Sequence, residues 1–354
     1  MTPTLRSLGR RALRPASVPV LLLSSALAAT APAVWAQAAP PSLRIGGSST
    51  VFPIVQRALS QLPPASAKGS PRFVLEEAGT AAGFRDFCAG RLVIANASRP
   101  INAAELEACR RRGVVFSELP LAFDAITVVV PSANTWLKSI NLSQLRTLWS
   151  RAAQGRVSRW NQVNPAWPNR PIRLCGPGKD SGTFAYFNQA VNGSPTNSRN
   201  DYTASEDDNV LVKCVASNPD ALGYFGFSYY ASNRSRLRAI PIQGARTPVA
   251  PSVVSVQDGS YVPLSRLLFV YVNDAQLRRQ PEVQRLITTL LRQARPIASA
   301  VGAIPLSADT YRLVEAKFYR HVLGSAFSGG LPVGLTVDQA LQKSLESVRR
   351  PEYR

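Results

Sequence analysis

The chain has 354 residues, with 41 Lys and Arg against 21 Asp and Glu, a formal net charge of +20, one His and four Cys. Hydrophobic residues make up 45% and charged ones 18%, an ordinary globular mix that argues against intrinsic disorder. Twenty-eight Pro and 22 Gly without a period exclude a collagen-like chain and announce many turns. A single His argues against a His-rich metal site and leaves few ways to build a Ser-His-Asp triad, while the length suggests two domains.

Residues 1–17 carry Arg6, Arg10, Arg11 and Arg14 and no acid, and an apolar run follows over 18–34. Val34, Trp35 and Ala36 place small or aliphatic residues at the −3 and −1 positions of a cleavage site before Gln37. This is the layout of a secretory signal peptide over 1–36. A membrane anchor is the rival reading. Pro19, Ser24, Ser25, Thr30 and Pro32 interrupt the run, however, and a span needs about 20 mostly apolar residues. The Arg10-Arg11 pair admits a twin-arginine route, although the residues after it fit poorly. Cleavage leaves 318 residues and a charge of +16, a field that attracts anions. The basic residues are scattered, apart from Arg110, Arg111, Arg112 and the C-terminal tail, and no zinc-finger, RNP or basic-zipper pattern occurs. We therefore expect a solvated basic surface and no nucleic-acid partner.

Beyond the leader, strand candidates fall at 43–46, 72–76, 92–95, 114–119, 125–130, 172–175, 223–227, 237–242 and 267–272. Several are continuous apolar runs, as expected for strands buried on both faces. Helical patterns lie between them. Residues 53–62 place Ile54, Val55, Ala58, Leu59 and Leu62 on one face, with Pro53 in the first turn. Asn102 and Glu105 read as a capping box opening a helix that Gly113 closes, and Thr336 with Gln339 as a second box before the last helix. Residues 280–295 and 307–320 look amphipathic, and 63–71 and 192–205 read as surface loops. Alternating strands and helices predict an α/β protein with mainly parallel sheets. Export implies an oxidising compartment. Four Cys permit three connectivities, of which Cys88–Cys109 and Cys175–Cys214 close the shortest loops and are expected. No CxxC pair supports zinc, so no metal site is expected.

Three small-residue turns each link a predicted strand to a helix: Gly46 to Thr50, Gly79 to Gly83, and Gly176 to Thr183. A helix start exposes unpaired N–H groups and a partial positive charge, hydroxyls add donors, and Gly lets an anion approach the backbone. Any one turn is an ordinary cap. Three at the C-terminal ends of strands, where ligands of open α/β sheets bind, point to one small oxyanion. The third turn is not a P-loop, because Arg173 stands five before Gly178, nor a dinucleotide fingerprint, because Gly182 comes one residue too late.

The order of segments resembles the phosphate-binding proteins of bacterial ABC importers, the PstS group, and particularly its SphX-like branch. The matching stretches are GGSSTVFP (46–53), GTAAGF (79–84), IANASRPI (94–101), LAFDAITVVV (121–130), LWSRAAQGRVSRWNQVNPAWPNRPIRL (148–174), GPGKDSGTFAYF (176–187), YTASEDDNVLVKCV (202–215) and GYFGFSYY (223–230). The resemblance implies a type II periplasmic-binding-protein fold, two lobes of mixed sheet with flanking helices and two crossovers near 124–127 and 262–267. Lobe 1 would comprise 37–125 and 264–354, and lobe 2 would comprise 126–263. Carried over position by position, the ligand groups are Ser49, Thr50, Thr80, Ser98, Arg99, Asp124, Ser181, Gly182 and Thr183. The best-known branch has an Arg where Pro177 stands and an Asp where Arg99 stands, so Arg99 and Asp124 are expected to supply that charged pair from new positions.

Chemistry gives both charges a use. Arg99 offers a forked donor to oxyanion oxygens. An ionised Asp124 only accepts, which suits monohydrogen phosphate, with its proton, and repels sulfate, which has none. The expected function is capture of inorganic phosphate in the periplasm by a monomer. It would deliver phosphate to a permease and ATPase, with no cofactor and no covalent chemistry. Receptors for other oxyanions and a secreted phosphatase using Ser49 or Ser181 are the alternatives. Glu206, Asp207 and Asp208 read as acids at a helix start rather than a cation site. Trp149, Trp160 and Trp167 read as packing, and His321 as surface or packing.

Overall fold

The computed structural model describes residues 42–63, 71–243, 247–333 and 337–349. The leader over 1–36, most of the loop expected at 63–71, and Thr336 lie outside the described residues.

The first half of the chain runs β1 (Ser42–Gly47), α1 (Phe52–Leu59), β2 (Arg72–Glu77), α2 (Thr80–Cys88), β3 (Ile94–Ala97), α3 (Ala103–Arg111) and β4 (Phe116–Pro131). Next come α4 (Leu142–Trp149), β5 (Arg173–Pro177), α5 (Gly182–Asn192), β6 (Thr203–Ser205), α6 (Asp208–Ala216), β7 (Ala221–Gly226), α7 (Phe227–Ala231), β8 (Leu237–Ala239), β9 (Ile242–Gln243) and β10 (Pro248–Val249). The chain closes with α8 (Val253–Gln257), β11 (Ser265–Asn273), α9 (Asp274–Arg279), α10 (Pro281–Arg292), α11 (Ala294–Ala300), β12 (Ile304–Pro305), α12 (Ala308–Tyr319) and α13 (Val337–Arg349).

Local chemistry explains several boundaries. Pro53 sits in the first turn of α1, whose Ile54, Val55 and Ala58 are buried. The Asn102 side chain accepts from Glu105 N while the Glu105 carboxylate accepts from Asn102 N, each at 2.9 Å, and so both satisfy donors at the start of α3. Gly113, with φ at +65°, takes the chain out of that helix in a conformation few other residues adopt.

The sheet order is β2-β1-β3-β11-β4-β7-β5-β6, with β8 and β12 also on β4. Each end is parallel: β1 pairs with β2 and β3, and β5 with β6 and β7. The middle strands run antiparallel, so the sheet is mixed rather than mainly parallel. The cause is topological: β11 returns from the far half and inserts between β3 and β4.

The strands expected at 114–119 and 125–130 are one element, β4, buried along all 16 residues. Pro120 lacks an amide, and the ladder with β11 responds with an irregularity that skips Leu121. The strand expected at 237–242 instead splits at Ile240 and Pro241, and the helix expected at 280–295 ends at Arg292. Along β4 the partner changes. Residues 116–125 pair with β11, and 126–129 pair with β7. Ile126 N donates to Leu264 O at 2.8 Å, so the two connecting segments lie side by side where the sheet changes halves.

Both expected disulfides form, Cys88–Cys109 between α2 and α3, and Cys175–Cys214 between β5 and α6. Trp149 and Trp160 are fully buried, the first edge-on to Tyr224 and the second to Trp136 and Trp167. They pack the second half of the chain.

Candidate functional site

The three small-residue turns sit at the C-terminal ends of β1, β2 and β5, and the start of α5 meets the other two across the seam between the halves of the sheet. Thr50 Oγ1, after β1, lies 3.4 Å from Thr183 Oγ1 in the first turn of α5. Thr80 Oγ1, at the start of α2, lies 3.3 Å from Ser98 Oγ and accepts from Ser98 N at 3.2 Å. The start of α5 presses on that pair. A Cβ added to Gly182 would stand 2.5 Å from both Ser98 Oγ and Thr80 Oγ1. Glycine is required there by close approach, not by an unusual φ.

Asp124 lies on β4 just before the change of halves and is 3% exposed. Its Oδ1 accepts from Phe227 N, at the start of α7, at 2.9 Å. Its Oδ2 accepts from Arg266 Nε at 3.0 Å and Arg266 Nη2 at 2.7 Å. Arg266 Nη2 also donates to Thr183 Oγ1 at 2.8 Å and, more weakly, to Thr50 Oγ1 at 3.4 Å. Arg266 Nη1 is buried without a protein partner, a donor whose desolvation is uncompensated within the fold. Arg266 thus joins the Asp124 carboxylate to the Thr50 and Thr183 hydroxyls, drawn from both halves of the sheet, and Gly182, next to Thr183, lies against the Thr80 and Ser98 hydroxyls.

No side chain caps α1 or α2. At α1, Phe52 N donates to Ser48 O and Ile54 N to Val51 O, and Pro53 has no N–H; at α2, Ala81 N donates to Asp180 O across the seam at 2.8 Å. At α5, Ser181 is the cap: its Oγ accepts from Thr183 N at 3.0 Å and from Phe184 N at 3.4 Å. The hydroxyl proton of a capping serine stays free to donate.

Two expected site residues sit differently. Ser49 turns from the hydroxyl cluster, and its Oγ donates to Asp208 Oδ2 at 3.3 Å. Arg99 is buried, but its fork is held by Glu105, with Nη1 at 2.8 Å and Nη2 at 2.7 Å from the two carboxylate oxygens. Arg99 also donates to Pro100 O at 3.0 Å. The Arg99–Asp124 pairing is thus replaced by Arg266–Asp124. The reason is a stronger local partner: Glu105, already placed by the capping box, captures the nearer arginine. Lys179 is exposed beside Asp180.

Arg266 and Asp208 escaped the sequence reading. Arg266 had a signal, since it is a lone charge beginning a run of apolar residues. Along the chain Asp208 groups with Asp207 as an acid favouring the helix start, but Asp207 is the cap, accepting from Asn209 N at 2.8 Å. Asp208 is buried, and burial, with Asp124 and Glu77 nearby, pushes its carboxyl up to about 8 against the pull of Arg266. No cluster of three His, Cys, Asp or Glu arranged to hold a metal occurs among the described residues.

A mixed sheet whose halves share two connecting segments, with oxyanion donors gathered where those segments pass, defines a periplasmic-binding-protein fold. Comparison with known proteins agrees. Residues 34–291 match the PBP superfamily domain. The chain is 41% identical over 326 residues to Protein SphX of Synechocystis sp., covering 92% of this chain and 95% of that one. It is 31% identical over 270 residues to the phosphate-binding protein PstS of Staphylococcus aureus strain RF122, covering 75% and 79%. Among solved structures, a possible phosphate binding protein from Planctomyces limnophilus matches with a TM-score of 0.59 and 34% identity, over 80% of this chain and 99% of that one. The chain belongs to the PBP superfamily and, within it, to the SphX and PstS proteins.

Proposed function

We propose that the chain captures inorganic phosphate between two lobes, 37–125 with 264–354 and 126–263, and delivers it to the permease and ATPase of an ABC importer. It acts as a monomer in the periplasm after loss of residues 1–36, with no cofactor. One observation carries the reading. The Thr50 and Thr183 hydroxyls and the Arg266 guanidinium, all donors to an anion, meet at Asp124, an acceptor that suits an anion bearing a proton, and the Thr80 and Ser98 hydroxyls lie against Gly182, next to Thr183. The Ser181 hydroxyl and the Gly182 end of α5 complete the set, while Ser49 and Arg99 support it from outside. An oxyanion would exchange the hydroxyls' mutual bonds for its own, and contacts to both halves would favour the closed form.

Capture is favoured over ester hydrolysis. Ser49 Oγ meets a single carboxyl, Asp208, and no histidine, lysine or third group that would orient such a base is bonded to it among the described residues. Ser181 Oγ is engaged as a cap. Isothermal titration of anion-free protein with phosphate, sulfate and arsenate tests the reading. One phosphate per chain with no competition by sulfate is expected. Absence of phosphate binding, or sustained phosphate release from an ester that Ser49→Ala or Ser181→Ala abolishes, would overturn it.

A further inference from the structure

The turn carrying Ser49 meets the start of α6 across the seam between the two halves. There Ser49 Oγ donates to Asp208 Oδ2 at 3.3 Å, and the Tyr229 hydroxyl of α7 donates to Ser49 O at 3.1 Å. Asp208 is 2% exposed, and the neighbouring Asp207 caps its helix, so capping does not explain why this carboxyl is buried. The charged and titratable groups around it are Arg266 from β11, Asp124 from β4, Glu77 from the end of β2, Tyr229 from α7 and Asp207 beside it. Arg266 is the cation of this group, and it is already committed to Asp124 and Thr183. The remaining groups are acids, and a bound phosphate adds more negative charge.

We propose that Asp208 is a positioning residue that takes up a proton as the two halves close, so that phosphate capture is linked to pH through a carboxyl that holds Ser49 and does not touch the ligand. The inference rests on the phosphate-capture reading above. With the halves apart, a carboxylate in the first turn of a helix faces water and a favourable dipole and ionises in its ordinary range. Closure strips that water and brings Glu77 from the opposite half. Glu77 is itself half-buried and pushed up to about 7, by burial first and by Asp207 second. Two carboxyls from opposite halves thus resist ionisation at one seam.

The sign follows. Asp208 holds its proton more tightly in the closed form than in the open one, so closure binds a proton. Affinity is greatest on the acid side, falls as pH rises from the ordinary carboxylate range towards about 8, and stops falling above it. One proton per binding event corresponds to about tenfold in affinity per pH unit. Phosphate titrates in the same window, so the informative quantity is the difference between wild type and a variant.

Asp208→Asn is isosteric and uncharged. Phosphate is titrated calorimetrically into each purified protein from about pH 6 to about pH 9, in buffers of unlike ionisation enthalpy, which counts protons per phosphate. Near neutral pH the wild type is expected to take up close to one more proton than Asp208→Asn, whose Kd lacks the matching rise of about tenfold per unit. Equal proton counts and parallel Kd profiles would overturn the coupling. Glu77→Gln keeps the test open if Asp208→Asn does not fold. Removing that neighbouring charge moves the extra uptake to lower pH, and a profile identical to wild type would overturn the proposal. Loss of the extra proton in Glu77→Gln together with its retention in Asp208→Asn would place it on Glu77 and overturn the assignment. No phosphate binding by wild type at any pH would instead refute the capture reading itself.

Discussion

Arg266 is the one charged residue in the nine-residue strand β11, and it enters the seam with its side chain 1% exposed. Its fork holds Asp124 through two N–H groups, a geometry an ammonium cannot copy. Arg266→Lys is therefore expected to weaken phosphate binding by more than tenfold, or about 2 kcal/mol for a charged hydrogen bond lost in a buried site, as read by titration calorimetry. Asp124→Asn removes the obligate acceptor and supplies an amide donor. Discrimination of phosphate over sulfate should fall in that variant, and unchanged discrimination would remove the role given to Asp124.

At the scale of elements, α5 approaches α2 closely across the seam. Gly182→Ala places a methyl on the Ser98 and Thr80 hydroxyls, an overlap that costs about 1–3 kcal/mol. Phosphate affinity should fall about tenfold to a hundredfold, while the circular dichroism of ligand-free protein is unchanged. Beside that joint, Arg85 on α2 forks onto Asp180 before α5, at 2.7 and 3.1 Å, and Ala81 N donates to Asp180 O at 2.8 Å. Arg85 is 59% exposed, so the pair contributes only about 0.2–1 kcal/mol. Arg85→Ala should speed phosphate release about two- to fivefold in stopped-flow measurements.

Across the whole molecule, each half carries its own staple. Cys88–Cys109 spans a separation of 21 residues and Cys175–Cys214 one of 39. Restriction of the unfolded chain gives about 3 kcal/mol for the first and about 4 for the second. Replacing Cys175 and Cys214 by Ser should lower the thermal midpoint more than replacing Cys88 and Cys109, which calorimetry of the two double variants would show. The positive net charge of the chain acts at longer range, attracting anions.

Much was legible in the residues alone, because it depends on neighbours in the chain. A continuous apolar run marked β11; the Asn102–Glu105 spacing marked the start of α3; and paired Cys closing short loops marked both disulfides. The small-residue turns after β1, β2 and β5 announced donors for an anion, and Thr50, Thr80, Ser98, Gly182 and Thr183 meet in space. Charge partners were another matter. An arginine's mate is chosen by distance in three dimensions, so Arg99 fell to Glu105 six residues on while Arg266 reached Asp124 across 142. Likewise, no pattern along the chain could tell Asp207, a solvated cap, from Asp208, a buried acid, since the distinction is made by which half of the sheet covers each.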